Sequence, residues 1–164
     1  MERLWAPWRL QYVAGERSSG CIFCEKPQLG NDKEAHIVRR GNLAYIMLNT
    51  FPYNNGHVMV APFAHLSAFE DLPEDVLKEM FTLAQECVRA LKLAFRPDGV
   101  NIGLNLGAAA GAGIKDHVHM HLVPRWEGDT NFMPVLADVR VIPQALDDTY
   151  ERLVEAFARL RSER

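Results

Sequence analysis

The stretch Asp116-His117-Val118-His119-Met120-His121-Leu122-Val123-Pro124-Arg125 places a histidine at every second position with an apolar residue between each pair. A period of two belongs to a β-strand, whose side chains alternate between faces. The pattern predicts a strand over 117–124, with Val118, Met120 and Leu122 turned into a core and three imidazoles aligned on one open face. Imidazole titrates near neutrality and serves as nucleophile, proton carrier or metal ligand. The spacing alone leaves several chemistries open: three rings on one metal, a nucleophile with helpers, or side chains that merely decorate a sheet.

Outward from that strand, the alternation and the turn residues predict further strands over 37–40, 44–49, 58–62 and 100–106. Between the third and fourth lies a helix that starts at Pro73, has Glu74 and Asp75 in its first turn, and stops before Pro97-Asp98-Gly99. Its apolar stripe is Val76, Met80, Leu83, Ala84, Cys87, Val88 and Leu91, which makes Cys87 a small core residue. A last helix over 143–161 has Leu146, Tyr150, Leu153, Val154 and Phe157 as its apolar stripe. The fold class is α+β: a five-stranded, largely antiparallel sheet with one long helix and a C-terminal helix. We read residues 1–164 as one domain, with an N-terminal arm over 1–20, a core over 21–125 and a C-terminal extension over 126–164. His36, beside Ile37 and Val38 with charged neighbours, is expected at the surface.

The segment Asn105-Leu106-Gly107-Ala108-Ala109-Ala110-Gly111-Ala112-Gly113 is too small and glycine-rich to pack as a helix or regular strand, so its backbone can approach a ligand closely. Such a loop can aim several N–H groups at phosphate oxygens. It is no P-loop, because Lys115 is neither preceded by Gly nor followed by Ser or Thr. A simple inter-strand turn is the alternative; the adjacent histidines favour a phosphate cradle. Cys21-Ile22-Phe23-Cys24 supplies half of a metal site, a redox pair or two unligated thiols. Asn49 closes a strand just before the turn formers Pro52, Asn54, Asn55 and Gly56, and is either a turn former itself or a ligand group.

The chain has 164 residues, 48% hydrophobic and 24% charged, with a formal net charge of −3. That composition suits an ordinary soluble domain and gives no electrostatic reason to expect nucleic acid or an anionic membrane as partner. No apolar run reaches membrane-spanning length and the first residues lack the apolar core of a signal peptide, so the expected location is the cytoplasm. Three cysteines, two of them in a metal-type pair, do not suggest a disulfide framework.

The run His117-Val118-His119-Met120-His121-Leu122-Val123, with Asn105-Leu106-Gly107, Asn49 and Gly56-His57 before it, resembles the histidine triad family of nucleotidyl hydrolases and transferases. The resemblance covers Cys21 to Arg125. Leu4-Trp5-Ala6-Pro7-Trp8-Arg9 and the run from Pro124 to Val135 look like the longer microbial members, among them the diadenosine tetraphosphate phosphorylase type. The resemblance implies that His119 is the nucleophile and that His121 hydrogen-bonds phosphoryl or leaving oxygens. It implies phosphate contacts from Asn105 and the amides of Gly111, Ala112 and Gly113, and ribose contact at Asn49. His57 is expected to line the nucleotide end of the cleft or brace the triad. It also implies a structural zinc on Cys21, Cys24, His65 and His117, and a homodimer. Many members carry Ser or Thr just before the triad; here Gly111-Ala112-Gly113-Ile114-Lys115-Asp116 has no hydroxyl, so phosphate contacts must lean on backbone amides. Among Trp5, Trp8 and Trp126, the last follows the catalytic strand most directly and is the candidate for nucleotide contact.

The implied activity is cleavage of a dinucleoside polyphosphate, most of all diadenosine tetraphosphate, through a covalent nucleotidyl-histidine, with water or inorganic phosphate as second acceptor. The alternatives are a purine nucleoside phosphoramidase, a zinc-stabilised nucleotide-binding regulator, or a catalytic metal held by all three histidines.

Overall fold

The computed structural model describes residues 20–130 and 142–163. The N-terminal arm with Trp5 and Trp8, and the part of the extension over 131–141, lie outside the described residues. Five strands, β1 (Ile37–Arg40), β2 (Ala44–Leu48), β3 (Val58–Pro62), β4 (Gly99–Leu104) and β5 (Met120–Arg125), form one sheet in the order β1-β2-β3-β5-β4. Every pairing is antiparallel. Two short helical turns, α1 (Ile22–Glu25) and α2 (Asp32–Ala35), precede the sheet; α3 (Glu74–Phe95) is the long helix and α4 (Leu146–Ser162) the last.

The period of two sorts residues onto two faces. Ile46, Leu48, Val58, Val60, Met120 and Leu122 meet Met80, Leu83 and Leu91 of α3 and Leu153 and Phe157 of α4, which forms the larger core. Tyr45, Met47, Met59 and Ala61 face the other way and pack with Phe23, Ala35 and Ile37. β2 and β3 are therefore buried on both sides, as central strands covered by helices on one face and by α1 on the other. Glu79 of α3 pins the β1–β2 turn: its carboxylate accepts from the Asn42 N–H at 2.9 Å, the Ala44 N–H at 2.7 Å and the Leu43 N–H. Pro73 caps α3, and Arg96 ends it in a left-handed conformation just before Pro97.

The structure differs from the sequence reading at several places; β4 stops at Leu104 rather than 106 and the last helix starts at Leu146 rather than 143. β5 begins at Met120, so His117 and His119 lie on the approach to the strand. The reason is local: the Val118 N–H donates to the Leu66 carbonyl at 2.7 Å and the His117 ring holds the Pro62 carbonyl at 2.9 Å, bonds that replace the ladder there. The face carrying the histidines is also not open, since His117, His119 and His121 are all buried. The glycine-rich segment contains a 3-10 turn at Ala108–Ala110, bounded by Gly107 and Gly111 at positive φ. His36 is half-buried rather than at the surface, closing α2 at φ 58° beside Tyr150. Among the described residues no helix is long and apolar enough to cross a membrane.

Candidate active site

The three histidines are buried close together but make three different sets of bonds, and those bonds assign their ring nitrogens. A neutral imidazole has one N–H and one lone pair, so a partner on one nitrogen decides the role of the other. At His119, Nδ1 lies 2.8 Å from the His117 carbonyl oxygen, which can only accept. Nδ1 therefore carries the proton and Nε2 presents a lone pair. Burial lowers the pKa of His119 from its ordinary value and keeps that lone pair free at neutral pH. The fully buried Phe23 ring lies against His119 with centroids 4.6 Å apart, which limits where the imidazole can turn.

His121 is oriented by a short relay. The Tyr53 N–H donates to His57 Nδ1 at 3.0 Å, so the His57 proton sits on Nε2, which lies 2.9 Å from His121 Nδ1. His121 Nδ1 is thereby an acceptor, and its own proton is on Nε2. Burial, and next the charge His119 can carry, lower the pKa of His121 to about 4. The pair that results is one ring with a lone pair at Nε2 and a neighbour with an N–H at Nε2, ring centroids 4.8 Å apart. A nucleophile beside a hydrogen-bond donor is the arrangement needed for attack on an oxyanion-bearing centre. Tyr53 covers His121 with a near-parallel ring at 5.6 Å.

His117 faces away from that pair. Its Nε2–H donates to the Pro62 carbonyl at 2.9 Å, which leaves the Nδ1 lone pair toward the cysteines: 3.4 Å to Cys21 Sγ and 3.6 Å to Cys24 Sγ. His65 Nδ1 lies 3.3 Å from Cys24 Sγ, and all four donor atoms fall within 4.8 Å of one another. A tetrahedral ion with bonds of about 2.3 Å to sulfur and about 2.05 Å to nitrogen holds such ligands about 3.6 Å apart. The observed sulfur–nitrogen separations match that edge, so the four residues could hold a metal. The Pro62 bond is the outer-shell contact that fixes a ligating imidazole. Partial burial, and next its neighbour Cys21, raise the pKa of the Cys24 thiol, a penalty that a divalent cation would remove.

The remaining expected residues divide. Asn49 directly follows β2; its side-chain oxygen accepts from the Phe51 N–H at 2.9 Å, a turn contact that leaves its amide nitrogen for a ligand. Asn105 Nδ2 donates to the Gly111 carbonyl at 3.5 Å. The Gly111 and Ala112 N–H groups donate to the Ala108 and Gly107 carbonyls at 3.0 and 3.2 Å, so the loop itself engages two of the three amides expected to cradle phosphate. Trp126 is half-buried after β5, where its N–H donates to Asp129, which also pairs with Arg125 at 2.7 Å and accepts from Asn54. These bonds, the Arg125 contact foremost, hold the Asp129 carboxyl well below the usual range.

Two contributors escaped the sequence reading. Phe23 was hidden inside the cysteine pair, and Tyr53 inside a run of turn formers. Only an aromatic residue in each otherwise functional motif hinted at them.

Comparison with known proteins adds the following. The family model described as HIT domain matches residues 31–128. An AP-4-A phosphorylase of Mycobacterium tuberculosis is 42% identical over 97% of this chain and 86% of its own length. Among solved structures, a Zn-bound histidine triad family protein from Mycobacterium smegmatis is 27% identical with a TM-score of 0.72, covering 88% of this chain and 98% of that one. A histidine triad nucleotide-binding protein from Sulfolobus tokodaii, 24% identical, shares the fold with a TM-score of 0.69 over 86% of this chain and 94% of its own.

Proposed function

The chain belongs to the HIT family, and from that premise we propose that it is a nucleotidyl transferase that cleaves a dinucleoside polyphosphate, diadenosine tetraphosphate foremost. The observation that carries this reading is the His119 Nδ1 bond to the His117 carbonyl, because it leaves Nε2 with a lone pair beside a neighbouring N–H donor. His119 Nε2 attacks the α-phosphorus. The bond from that phosphorus to the bridging oxygen breaks and the remainder departs as a nucleoside polyphosphate. His121 Nε2–H donates to the phosphoryl or departing oxygen, where charge builds up in the transition state. A second acceptor, water or inorganic phosphate, then attacks the nucleotidyl-His119 phosphorus and regenerates the imidazole. The Mycobacterium tuberculosis relative, by its name, favours phosphate.

Asn49 takes the ribose, Asn105 and the Gly113 amide take phosphate oxygens, and Trp126 borders the nucleotide. Gly111 and Ala112 contribute their amides only if the 3-10 turn opens on substrate. Cys21, Cys24, His65 and His117 hold a structural zinc, a donor set suited to that ion. His117, which would hold the zinc through Nδ1, also supplies the carbonyl that holds His119 Nδ1, so the metal would brace the nucleophile through one backbone bond. The partner is a second copy of the chain. β4 is an edge strand with Ile102 51% exposed, and Leu106 just after it is also exposed, an apolar edge that calls for cover.

The test is chromatography of products after incubation with diadenosine tetraphosphate, with and without inorganic phosphate. ATP with ADP formed only with phosphate marks phosphorolysis, and ATP with AMP regardless of phosphate marks hydrolysis. Full turnover by His119→Ala would overturn the mechanism, and no turnover at all would shift the reading to a phosphoramidate substrate.

A further inference from the structure

A cavity of about 580 Å³ lies between the turn after β2 and the start of α4, with Phe51, Pro52, Ile142, Pro143 and Leu146 in its wall. Its size is in the range of small-molecule sites, about 300–1,000 Å³. Among the described residues two buried side-chain atoms have no hydrogen-bond partner, His36 Nδ1 and Asn55 Oδ1, and both residues line this cavity. Native interiors leave few such atoms unpaired, because each costs about 1–3 kcal/mol.

Both orphans are acceptors. Asn55 Nδ2 donates to Gln144 Oε1 at 3.0 Å, so the unpaired end of that amide is its oxygen. His36 Nε2 lies 3.9 Å from Asp147 Oδ1, which favours the proton on Nε2 and a lone pair on Nδ1. Burial lowers the pKa of His36 from its ordinary value and keeps the ring neutral, with Lys26 acting in the same sense and Asp147 opposing. A ligand that fits must bring N–H donors. Among the described residues no lysine or arginine lines the cavity and Asp147 is the one carboxylate, which disfavours an anionic phosphate there. The apolar walls suit the faces of a flat heterocycle. Asn49 and His57 line the same cavity, and His57 is the ring that holds His121.

We propose that this cavity binds an uncharged, amino-bearing nucleobase of the adenine type, with Asn55 Oδ1 and His36 Nδ1 accepting from the ligand's N–H groups. The choice of ligand class rests on the nucleotide reading above; the two orphan acceptors do not. The base comes either from the distal nucleoside of a bound dinucleoside polyphosphate or from a separate nucleoside.

The test is an amide NMR titration of the full chain with adenosine, which lacks phosphate. Shifts at Asn55, Gly56 and residues 144–149 are expected. Asn55→Leu should weaken binding about tenfold, the worth of one buried hydrogen bond. Its Tm should change little, because loss of the Gln144 bond is offset by removal of the unpaired oxygen. His36→Asn, which suits the left-handed position, should weaken binding in the same way. Shifts confined to residues 105–121, no shifts at millimolar adenosine, or wild-type affinity in both variants would overturn the proposal. A lower Tm with unchanged affinity would also overturn it, as the mark of a purely structural role. In His119→Ala, diadenosine tetraphosphate shifting both regions at one equivalent identifies the distal nucleoside, and adenosine binding undiminished beside it identifies a separate one. Adenosine shifts here in a protein that does not turn over diadenosine tetraphosphate would sink the catalytic reading and leave this site standing.

Discussion

Replacing His57 by Phe tests the relay that orients the donor. In the structure His57 accepts from the Tyr53 N–H at 3.0 Å and donates to His121 Nδ1 at 2.9 Å, with 1% of its surface exposed. Phe preserves most of the volume and both ring contacts but makes neither bond. The Tyr53 amide then lacks its acceptor, which costs about 1–3 kcal/mol of folding stability. His121 loses the donor that keeps its proton on Nε2, and the preference between its neutral tautomers falls by the worth of one hydrogen bond, about 1 kcal/mol. If the Nδ1–H tautomer is inactive, kcat falls several-fold, and up to about a hundredfold if the freed ring also leaves its position. His57→Gln is the rescue, because one amide can accept from Tyr53 and donate to His121. Steady-state turnover with saturating diadenosine tetraphosphate, urea unfolding, and nitrogen NMR of the His121 tautomer read the three effects separately. Wild-type kcat in His57→Phe, with His121 still protonated on Nε2, would refute the relay.

Purified protein should carry one zinc per chain by atomic emission, and Cys21→Ser, Cys24→Ser or His117→Ala should release it while His119→Ala and His121→Ala keep it; loss in the latter pair would favour a metal on all three histidines. Glu79→Ala should lower unfolding free energy by about 2–4 kcal/mol in urea, since a carboxylate that accepts three amides of the β1–β2 turn disappears; a change within error would show that water replaces it. His121 has a folded pKa of about 4 against an ordinary 6.5, so its neutral form favours the native state. That contribution is whole above pH 6.5 and is lost as pH falls from there toward 4, with His119 acting in the same direction, and urea midpoints at pH 7.5, 6 and 5 should descend in that order. Leu122→Ala, which removes a fully buried side chain between the sheet and the helices, should cost about 2–5 kcal/mol in the same assay.

The elements that rest on local period were legible in the chain. The alternation in 37–40, 44–49 and 58–62 placed three strands, the second one residue too long, and the stripe from Val76 to Leu91 with Pro73 at its head placed α3. The triad motif singled out His117, His119 and His121 by spacing alone. The chain also holds all four candidate metal residues, but which pair joins Cys21 and Cys24 came from resemblance, because His65 and His117 stand 41 and 93 residues from Cys24. Local sequence carries no information on contacts at that separation.

What only the tertiary structure decided is the division of labour among chemically identical rings. His117, His119 and His121 differ in which ring nitrogen is left exposed as lone pair or N–H, because Pro62, the His117 carbonyl and His57 hold the other one. A tautomer is set by the partner atom in space, and spacing along a strand cannot supply that partner. The same holds for the glycine-rich loop, whose composition promised free amides until its 3-10 turn bonded two of them internally. Composition and period determine which side chains share a face; the folded backbone determines which atoms on that face are left to react.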